Sequence, residues 1–499
     1  MSVSYIGSMS STMLQSILDM RSKLDDLQRQ IGSGEKSTTY AGLGVNRGVS
    51  MIMRSQLTAL QSYDQTISNV GVRLGVAQSA LENANEMLHL VKNASVQTDF
   101  TIDQAGKTGE QRAAFNALDQ LFALFNSRAG ERYMFSGTAV DQPAVVSTDL
   151  LMNGDVSRAG FKQVMDERRQ ADLGPDGLGR LDLSRVGADV TLAEDAVSPF
   201  GLKLSAVNST LSNATVTGPG GSPATFDVNF TGNPTAGQQL SIGFTLPDGT
   251  TETLTLTATT ASPPGANQFT IGATATDTAT NFQAALDTSI KKVGVTSLTA
   301  ASAMAAADNF FNTDYDSPPQ RVAGPPYATA TALTDGTAAD TVQWYIGEDS
   351  AASARTSVSV RIDPALAVNY GIRANEQGLR IAVQNIAVFA AASFDPNDAS
   401  SSDAYTALGT RVGMALDGGP NQQKVADINA EIASAQQAFD SAKTRHRQTS
   451  DMLTDLLQKV EGVSEEEVGA QILSLQTMLQ ASLQTTAMLS RMSLVNFLQ

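Results

Sequence analysis

Cysteine and histidine, two residue types that often act as nucleophiles, bases and metal ligands, are absent or scarce in this chain. There is no cysteine, and the two histidines are His89 and His446, which excludes a thiolate nucleophile, a disulfide and a multi-histidine metal site within one chain. His446 falls on a hydrophobic stripe, where an imidazole is typically a hydrogen-bonded core residue rather than a catalyst. The sequence therefore predicts a protein that is not an enzyme and that needs neither a metal nor a cofactor.

Two short motifs are similar to ligand-binding loops but lack residues that those loops need. Gly106–Thr108 has the end of a phosphate loop, yet Thr101 stands where the first glycine belongs. The stretch Asp172–Gly177 has the turn glycine of a calcium loop, but Gly174 and Leu183 occupy positions that must donate oxygen ligands. A polar, glycine-rich turn is the simpler interpretation of both.

The charge balance disfavours nucleic acid and anionic lipid as partners. The chain of 499 residues has 33 Lys and Arg against 50 Asp and Glu, a formal net charge of −17. No apolar run approaches the roughly 18 residues of a membrane span. The opening residues, MSVSYIGSMSSTMLQS, have neither a basic nor an apolar region, so no cleaved secretion signal is expected.

The pattern that organises the chain is a pair of long hydrophobic repeats near its two ends, called here the N-terminal and C-terminal seams. Their apolar residues are spaced alternately by three and four, which is typical of helices that pack along a partner helix. The N-terminal seam comprises Leu60, Tyr63, Ile67, Val70, Leu74, Ala77, Leu81, Ala84, Leu88 and Val91. The C-terminal seam comprises Val425, Ile428, Ile432, Ala435, Phe439, Ala442, His446, Thr449, Leu453, Leu456, Val460 and Val463.

Narrower apolar stripes lie outside both seams and have no large core of their own, so we expect neighbouring copies of the chain to bury them. We predict that they form an assembly surface, through Met13, Ile17, Met20, Leu24, Leu27, Ile31, Ile472, Leu475, Leu479, Leu483, Leu489, Leu494 and Phe497. Residues 1–12 are small and polar, and we expect them to be disordered in a free monomer.

Capping boxes at Thr108–Gln111 and Ser464–Glu467 predict two further helix starts. The first predicted helix presents Phe115, Leu118, Phe122, Phe125 and Ala129 on one face. Together with the seams, these helices predict a bundle.

The middle of the chain changes to two-residue alternation, which predicts strands at residues 226–230, 240–244, 254–256 and 269–271. Pro247-Asp248-Gly249 predicts a hairpin turn between two of them. Helices at residues 277–291 and 300–311 are expected to cover one face of the sheet. Short strands are predicted at residues 342–346 and 358–362, and helical periodicity resumes near residue 374.

The predicted fold class is therefore α+β: a long coiled coil or bundle built from both ends, with a mainly β insertion. The predicted divisions are an N-terminal assembly helix that is disordered in the monomer, the first half of the bundle, a β and loop region, a Thr- and Gly-rich β module with two helices, a return segment, the second half of the bundle and a C-terminal assembly helix. These cover residues 1–45, 46–140, 141–213, 214–315, 316–403, 404–463 and 464–499, respectively.

Four stretches resemble the flagellin superfamily. Residues 24–36 (LDDLQRQIGSGEK), 54–69 and 481–498 are similar to its conserved terminal blocks. The stretch Phe125–Thr138 contains Tyr133-Met-Phe135-Ser136-Gly137, which resembles the Tyr-x-Phe-Ser-Gly motif of the hook–filament junction proteins in that superfamily. The likeness covers about residues 1–140 and 405–499. Where the superfamily usually has a Ser-Asp-Asp-Pro-like loop, this chain reads Tyr40-Ala-Gly-Leu-Gly44.

The resemblance implies a structural adaptor at the junction of hook and filament, exported by the flagellar type III system to the outside of the bacterium. It implies that terminal helices order on assembly. The implied partners are further copies of the chain, the preceding junction protein, flagellin and an export chaperone, with no nucleic acid and no membrane insertion. Two alternatives stay open: a filament flagellin of the same superfamily, and a coiled-coil surface adhesin or an enzyme displayed by the middle region.

Overall fold

The computed structural model describes residues 2–97, 99–312, 318–348 and 350–497, with side chains described over residues 11–488 of those ranges and at Arg491. It is a mixed α+β protein with long helices, which confirms the predicted class. The chain divides into two compact units. Unit 1 comprises residues 1–71, 361–367 and 437–499, and unit 2 comprises residues 72–360 and 368–436.

Among the described residues the helices are numbered in chain order. They are α1 (Ser2–Ser33), α2 (Arg47–Ser95), α3 (Gly109–Phe125), α4 (Thr148–Asn153), α5 (Phe161–Leu173), α6 (Ala275–Val293), α7 (Thr299–Phe311), α8 (Ala354–Ser357), α9 (Gln377–Ala391), α10 (Ser401–Asp417), α11 (Val425–Glu461) and α12 (Glu465–Phe497). A 3-10 helix, Tyr40–Asn46, precedes α2, and a π-helical turn, Gly294–Leu298, joins α6 to α7.

The strands are short, and most belong to two four-stranded sheets. They are β1 (Arg128–Ala129), β2 (Arg132–Tyr133), β3 (Leu181–Val186), β4 (Asp189–Glu194), β5 (Lys203–Ser209), β6 (Ala214–Gly220), β7 (Thr225–Phe230), β8 (Gln239–Thr245), β9 (Thr251–Thr259), β10 (Gln268–Thr270), β11 (Arg321–Val322), β12 (Leu333–Thr334), β13 (Ser359–Asp363) and β14 (Leu366–Asn369). The larger sheets have the orders β3-β4-β7-β6 and β10-β9-β8-β5.

In unit 2, the two larger sheets share one hydrophobic core with α6. Phe226 and Phe230 of β7 and Phe244 of β8 are buried in it because they alternate with polar residues along each strand. The rings of Phe230 and Phe269 pack edge to face against Phe282 of α6. The predicted strands and the covering role of the first helix are thus confirmed, and β8 pairs antiparallel with β9 across the predicted Pro247–Gly249 turn.

The prediction that α7 covers the same sheet is wrong. This helix packs instead on α5, α9 and α10, because its alanine-rich surface admits close helix contacts on several sides. The prediction of a strand at residues 342–346 is also wrong, since only isolated β-bridges form in this region, at Thr341 and Tyr345. The strand predicted at residues 358–362 is found as β13.

Region 141–213, predicted as strands and loops, also contains α4 and α5. Helix α5 was missed because charged residues occupy its inward face. Glu167, Arg168 and Asp172 are buried beside Phe161 and Val164, so the face shows no apolar period in the sequence. Each buried charge has a partner: Glu167 pairs with Arg321, and Arg168 with Asp172.

Both seams are found mainly on the buried faces of α2 and α11. The N-terminal seam is buried from Ile67 to Val91, except for the half-buried Leu88. The C-terminal seam is buried from Val425 to His446 and again at Leu453, but Thr449 and Leu456 are exposed. A strict three-four spacing repeats every 3.5 residues, whereas a straight α-helix has 3.6 residues per turn. The apolar stripe therefore drifts gradually around the helix. Near Leu456 the inward position passes to Leu457.

The first predicted capping box forms in full. The Thr108 hydroxyl accepts from the Gln111 backbone amide at 3.2 Å, and the Gln111 side chain accepts from the Thr108 amide at 3.1 Å. Of the face predicted for this helix, Phe115 is exposed, and Ala129 lies in β1 because α3 ends at Phe125. At the second box, the Ser464 hydroxyl accepts from the Glu467 amide at 3.4 Å.

Candidate assembly surface

The clearest candidate for a functional surface lies in unit 1, where α1 and α12 pack along each other. Helix α1 begins at Ser2, eleven residues before the predicted apolar stripe. The chain leaves α1 through an antiparallel bridge between Glu35 and Gly462, immediately before α12 begins. Because this bridge joins the end of α1 to the start of α12, the two helices run antiparallel.

The contact between α1 and α12 uses a single narrow stripe on each helix. On α1, Met13, Ile17, Met20, Leu24 and Leu27 are half-buried, whereas Ile31 is exposed. On α12 the half-buried positions include Ile472, Leu475 and Leu479 and continue at Ser482 and Thr486, so Leu483 is exposed. The side chains of Leu489, Leu494 and Phe497 lie outside the described residues.

Part of the outer face of each helix is uncharged and apolar, whereas α1 carries exposed charges from Asp19 onwards. Residues 1–18 and 468–490 contain no charged residue. Leu14, Leu18, Leu473, Met478 and Met488 are all exposed. An exposed surface with several large apolar side chains and no charge is typical of a protein contact.

A buried carboxylate lies at the base of this pair and forms what we call the clasp. The side chain of Glu461, 11% exposed, accepts hydrogen bonds from Nε and Nη2 of Arg54 at 2.9 and 2.6 Å and another from the Ser50 hydroxyl. The hydrogen bonds from Arg54, assisted by the one from Ser50 and by the Arg54 charge, hold the pKa of Glu461 below its ordinary value against the opposing effect of burial.

The backbone completes the clasp. The Lys36 amide donates to the Glu461 carbonyl at 2.7 Å, and the Val463 amide donates to the Gly34 carbonyl at 3.1 Å. The Lys36 ammonium donates to the carbonyls of Lys459 and Val460 at the end of α11, where the helix dipole favours a positive charge. The clasp thus fixes the ends of α1 and α11 to the start of α12.

His446 is 2% exposed, and its Nδ1 lies 2.7 Å from Oδ1 of Asp64. Because the Asp64 carboxylate accepts a hydrogen bond, Nδ1 of His446 carries the hydrogen. The imidazole ring packs beside the ring of Tyr63. This contact and the clasp show that residues 50–64 of α2 and 446–461 of α11 run antiparallel within unit 1. His89 is exposed on α2.

The motif residues Tyr133, Phe135, Ser136 and Gly137 form a structural turn in unit 2. Phe135 is buried against Phe125, and the Ser136 hydroxyl donates to a backbone carbonyl. Gly137 has φ of 65°, and a Cβ there would lie 2.3 Å from the Glu348 carboxylate, which accepts from the following amide. The motif therefore stabilises a close approach of two segments and exposes no reactive group.

The motifs that are similar to ligand-binding loops are also structural. Lys107 donates to the carbonyls of Ala390 and Ala391 at 2.8 and 2.7 Å, which caps the end of α9. Burial lowers the pKa of Lys107 to about 8, and the charge of Lys162 acts in the same direction. Asp172 accepts from Arg168 and from the Gly201 amide, and burial raises its pKa.

A cleft of about 470 Å³ in unit 2 lies beside α5, α7 and α10. Its cations are already satisfied, because Lys162 donates to Asn153 and Arg169 to Asp166. Over the ranges that the structure describes, no three His, Asp or Glu side chains are placed to hold a metal, and no helix has the length and apolarity to cross a membrane. The chain matches no protein-family model, and comparison with curated proteins gives no match.

The narrow stripe predicts how the isolated chain responds to protease. Since α1 and α12 bury little surface, their opening should cost little free energy, and limited proteolysis of the monomer should trim about 35–45 residues from each end. Mass spectrometry of the products measures this. If both ends resisted protease as strongly as the core of unit 2 does, this result would contradict folding coupled to assembly.

Proposed function

We propose that this chain is a structural subunit of the bacterial flagellum, a junction adaptor of the hook-associated protein 3 (FlgL) type that links hook and filament. It assembles through its terminal helices after export by the flagellar type III system, and it acts outside the cell. The observation that carries the proposal is the α1–α12 pair, whose one narrow buried stripe leaves exposed Leu and Met side chains on outer faces that are uncharged over residues 11–18 and 468–488.

Two further features support the proposal. The assembly helices come from opposite ends of the chain and meet through the clasp, so both ends enter the same contact with neighbouring subunits. The turn at Tyr133–Gly137 carries the sequence likeness to junction proteins, and its residues are held by contacts that need those residue types. The partners in this proposal are further copies, the preceding junction protein, flagellin and an export chaperone.

A deletion strain tests the proposal directly. Cells without this chain should keep their hooks, lose their filaments and shed flagellin into the medium, because the adaptor that receives the first filament subunits is absent. Electron microscopy and the flagellin content of the medium measure this, and labelling of isolated flagella should place the chain at the hook–filament boundary. Filaments that persist with altered composition would indicate a filament flagellin instead.

A further inference from the structure

A buried histidine of unit 1 lies between two carboxylates that belong to other elements. His446 of α11 is 2% exposed. Its Nδ1 lies 2.7 Å from Oδ1 of Asp64 on α2, and its Nε2 lies 3.7 Å from Oδ2 of Asp363 on β13. All three residues belong to unit 1, and we call them the histidine cluster.

The two ring nitrogens of His446 differ in their hydrogen bonding. Nδ1 donates its hydrogen to Asp64, whereas Nε2 is buried and has no hydrogen-bond partner among the described residues. A neutral imidazole with its hydrogen on Nδ1 has a lone pair on Nε2. In the neutral ring this lone pair lies near the negative charge of Asp363, so the contact between Nε2 and Asp363 is repulsive.

Protonation of the ring makes the same contact attractive. An imidazolium carries a hydrogen on each nitrogen, so it can face Asp64 and Asp363 with a donor at the same time. The 3.7 Å between Nε2 and Asp363 is within the range of an ion pair, although it is too long for a hydrogen bond. Histidine is the side chain whose charge ordinarily changes between about pH 5 and pH 8. The histidine cluster can therefore change from a repulsive to an attractive contact near neutral pH.

Arg445, the residue before His446 on α11, also reaches the Asp363 carboxylate. Its Nη2 lies 3.2 Å from Oδ2 of Asp363, and its side chain is 50% exposed. From α2 the imidazole also faces the ring of Tyr63, and the other charged residue of β13, Arg361, is exposed. Arginine stays charged throughout this pH range, and an exposed ion pair stabilises only weakly. The ionisation of His446 therefore decides how strongly Asp363 is held.

The element held by this contact is the end of a small hairpin. Asp363 is the last residue of β13, directly before the turn into β14, and the two strands form a two-stranded sheet. Residues 363–367, which we call the hairpin tip, are exposed apart from the half-buried Asp363, while Ile362 beside them is buried. Because the tip buries so little surface, it opens at a low cost in free energy. The contacts of Asp363 therefore contribute a large share of what holds the tip in place.

We propose that His446 is a pH-dependent latch for the hairpin tip. When the ring is protonated, it holds both Asp64 and Asp363 and so fixes the tip on α11. When the ring is neutral, it keeps its hydrogen bond to Asp64 and releases Asp363. This inference goes beyond the proposed function, because none of these residues belongs to the predicted assembly surface and the latch needs no partner protein.

Hydrogen exchange of the hairpin tests the latch on the full chain. Peptides that cover residues 359–369 are followed by mass spectrometry at about pH 5.5 and about pH 8, towards the two ends of the range in which histidine ordinarily ionises, and are corrected for intrinsic exchange rates. In the wild type, the corrected exchange should be at least about threefold faster at the higher pH, since the attraction between His446 and Asp363 is lost. Equal exchange at the two pH values would overturn the proposal.

The two histidines of the chain provide matched variants. His446→Gln removes the buried ring and should make hairpin exchange equal at the two pH values, whereas His89→Gln removes the exposed histidine of unit 2 and should leave the wild-type pH dependence unchanged. Asp363→Asn alters a partly exposed side chain instead of a buried one, so it tests the latch even if His446→Gln disturbs the packing of α11. Because an amide can either accept from Nε2 or donate to it, this variant should also lose the pH dependence. A pH dependence that persists in Asp363→Asn would overturn the latch.

The ionisation of the ring can be observed directly, because the chain has two histidines. Labelling of histidine rings with ¹⁵N gives two sets of NMR signals, and the set that is lost in His446→Gln belongs to His446. Its signals should shift over the same pH range in which the exchange of the hairpin changes. A His446 ring that stays neutral from about pH 8 to about pH 5.5, or that ionises without a change in hairpin exchange, would overturn the proposal.

Discussion

Replacement of Leu74 by Asp is expected to destabilise unit 2 by more than about 4 kcal/mol. Leu74 lies on α2 in the N-terminal seam and is 1% exposed. The substitution removes a buried apolar side chain and places a carboxylate where water cannot reach it, so the free energy of unfolding falls through both effects.

The single tryptophan provides the measurement. Trp344 is buried in unit 2, where its indole donates to the Phe311 carbonyl at 3.1 Å and packs near Phe122. Its fluorescence during urea unfolding therefore reports the stability of the unit that contains Leu74.

Val72→Asp is the matched control for Leu74→Asp. Val72 lies two positions away on the same helix, in the same unit, and is 69% exposed. Its replacement adds the same charge to the same helix but should change the unfolding midpoint very little. If Leu74→Asp unfolded at the urea concentration of wild type, the N-terminal seam would not form part of the core.

Local sequence patterns predicted the elements that depend on near neighbours. The capping box at Thr108 and Gln111 forms because both hydrogen bonds join residues three positions apart. The strands around Phe226, Phe244 and Leu254 follow from two-residue alternation, which directs every second side chain into the core. These features are encoded within a few residues, so they can be inferred from the sequence.

Features that depend on distant partners could not be inferred in the same way. Helix α5 was hidden because Glu167 and Asp172 are buried with arginine partners, one of them far along the chain. The role of Glu461 could not be predicted from its neighbours in the sequence, since its partners Ser50 and Arg54 lie about 400 residues away.

The apolar stripes of α1 and α12 were predicted from the sequence, but not every residue that lies on them. Spacing placed Ile472, Leu475 and Leu479 on one face of α12, and all three are half-buried. Apolarity then suggested Leu483 as the next inward residue, whereas the helix places Ser482 there. Where small polar residues continue a helix contact, geometry decides the register and hydrophobicity does not.

Replacement of Glu461 by Gln is expected to loosen α1 and α12 without affecting unit 2. The amide keeps the shape of the side chain but loses the charge that accepts from Arg54 and Ser50. A hydrogen bond to a charged group stabilises by about 1.5–3 kcal/mol, so amides of α1 that exchange through opening of the clasp should exchange roughly 10–100 times faster. Hydrogen exchange with mass spectrometry measures each segment separately, and exchange in unit 2 should not change.

Glu466→Gln separates the clasp from a general effect of charge. Glu466 is exposed in the first turn of α12, so its replacement removes the same charge five residues away without removing a contact to Arg54. This variant should exchange like wild type. Equal acceleration in both variants would mean that the net charge of the region, and not the clasp, stabilises the pair.

The pH dependence of exchange gives a second, independent result for the clasp. Because the pKa of Glu461 is lowered in the folded chain, the clasp contributes its full stability above the ordinary value of 4.5 and loses it as the pH falls through the lower folded value. After correction for intrinsic rates, α1 exchange in the wild type should therefore rise towards that of Glu461→Gln below pH 4.5, while the variant shows no such rise. Protonation converts the Glu461 carboxylate into a neutral group that resembles the glutamine amide of the variant. If the corrected exchange of α1 in the wild type stayed constant through this pH range, the Glu461 carboxylate would not be what stabilises α1.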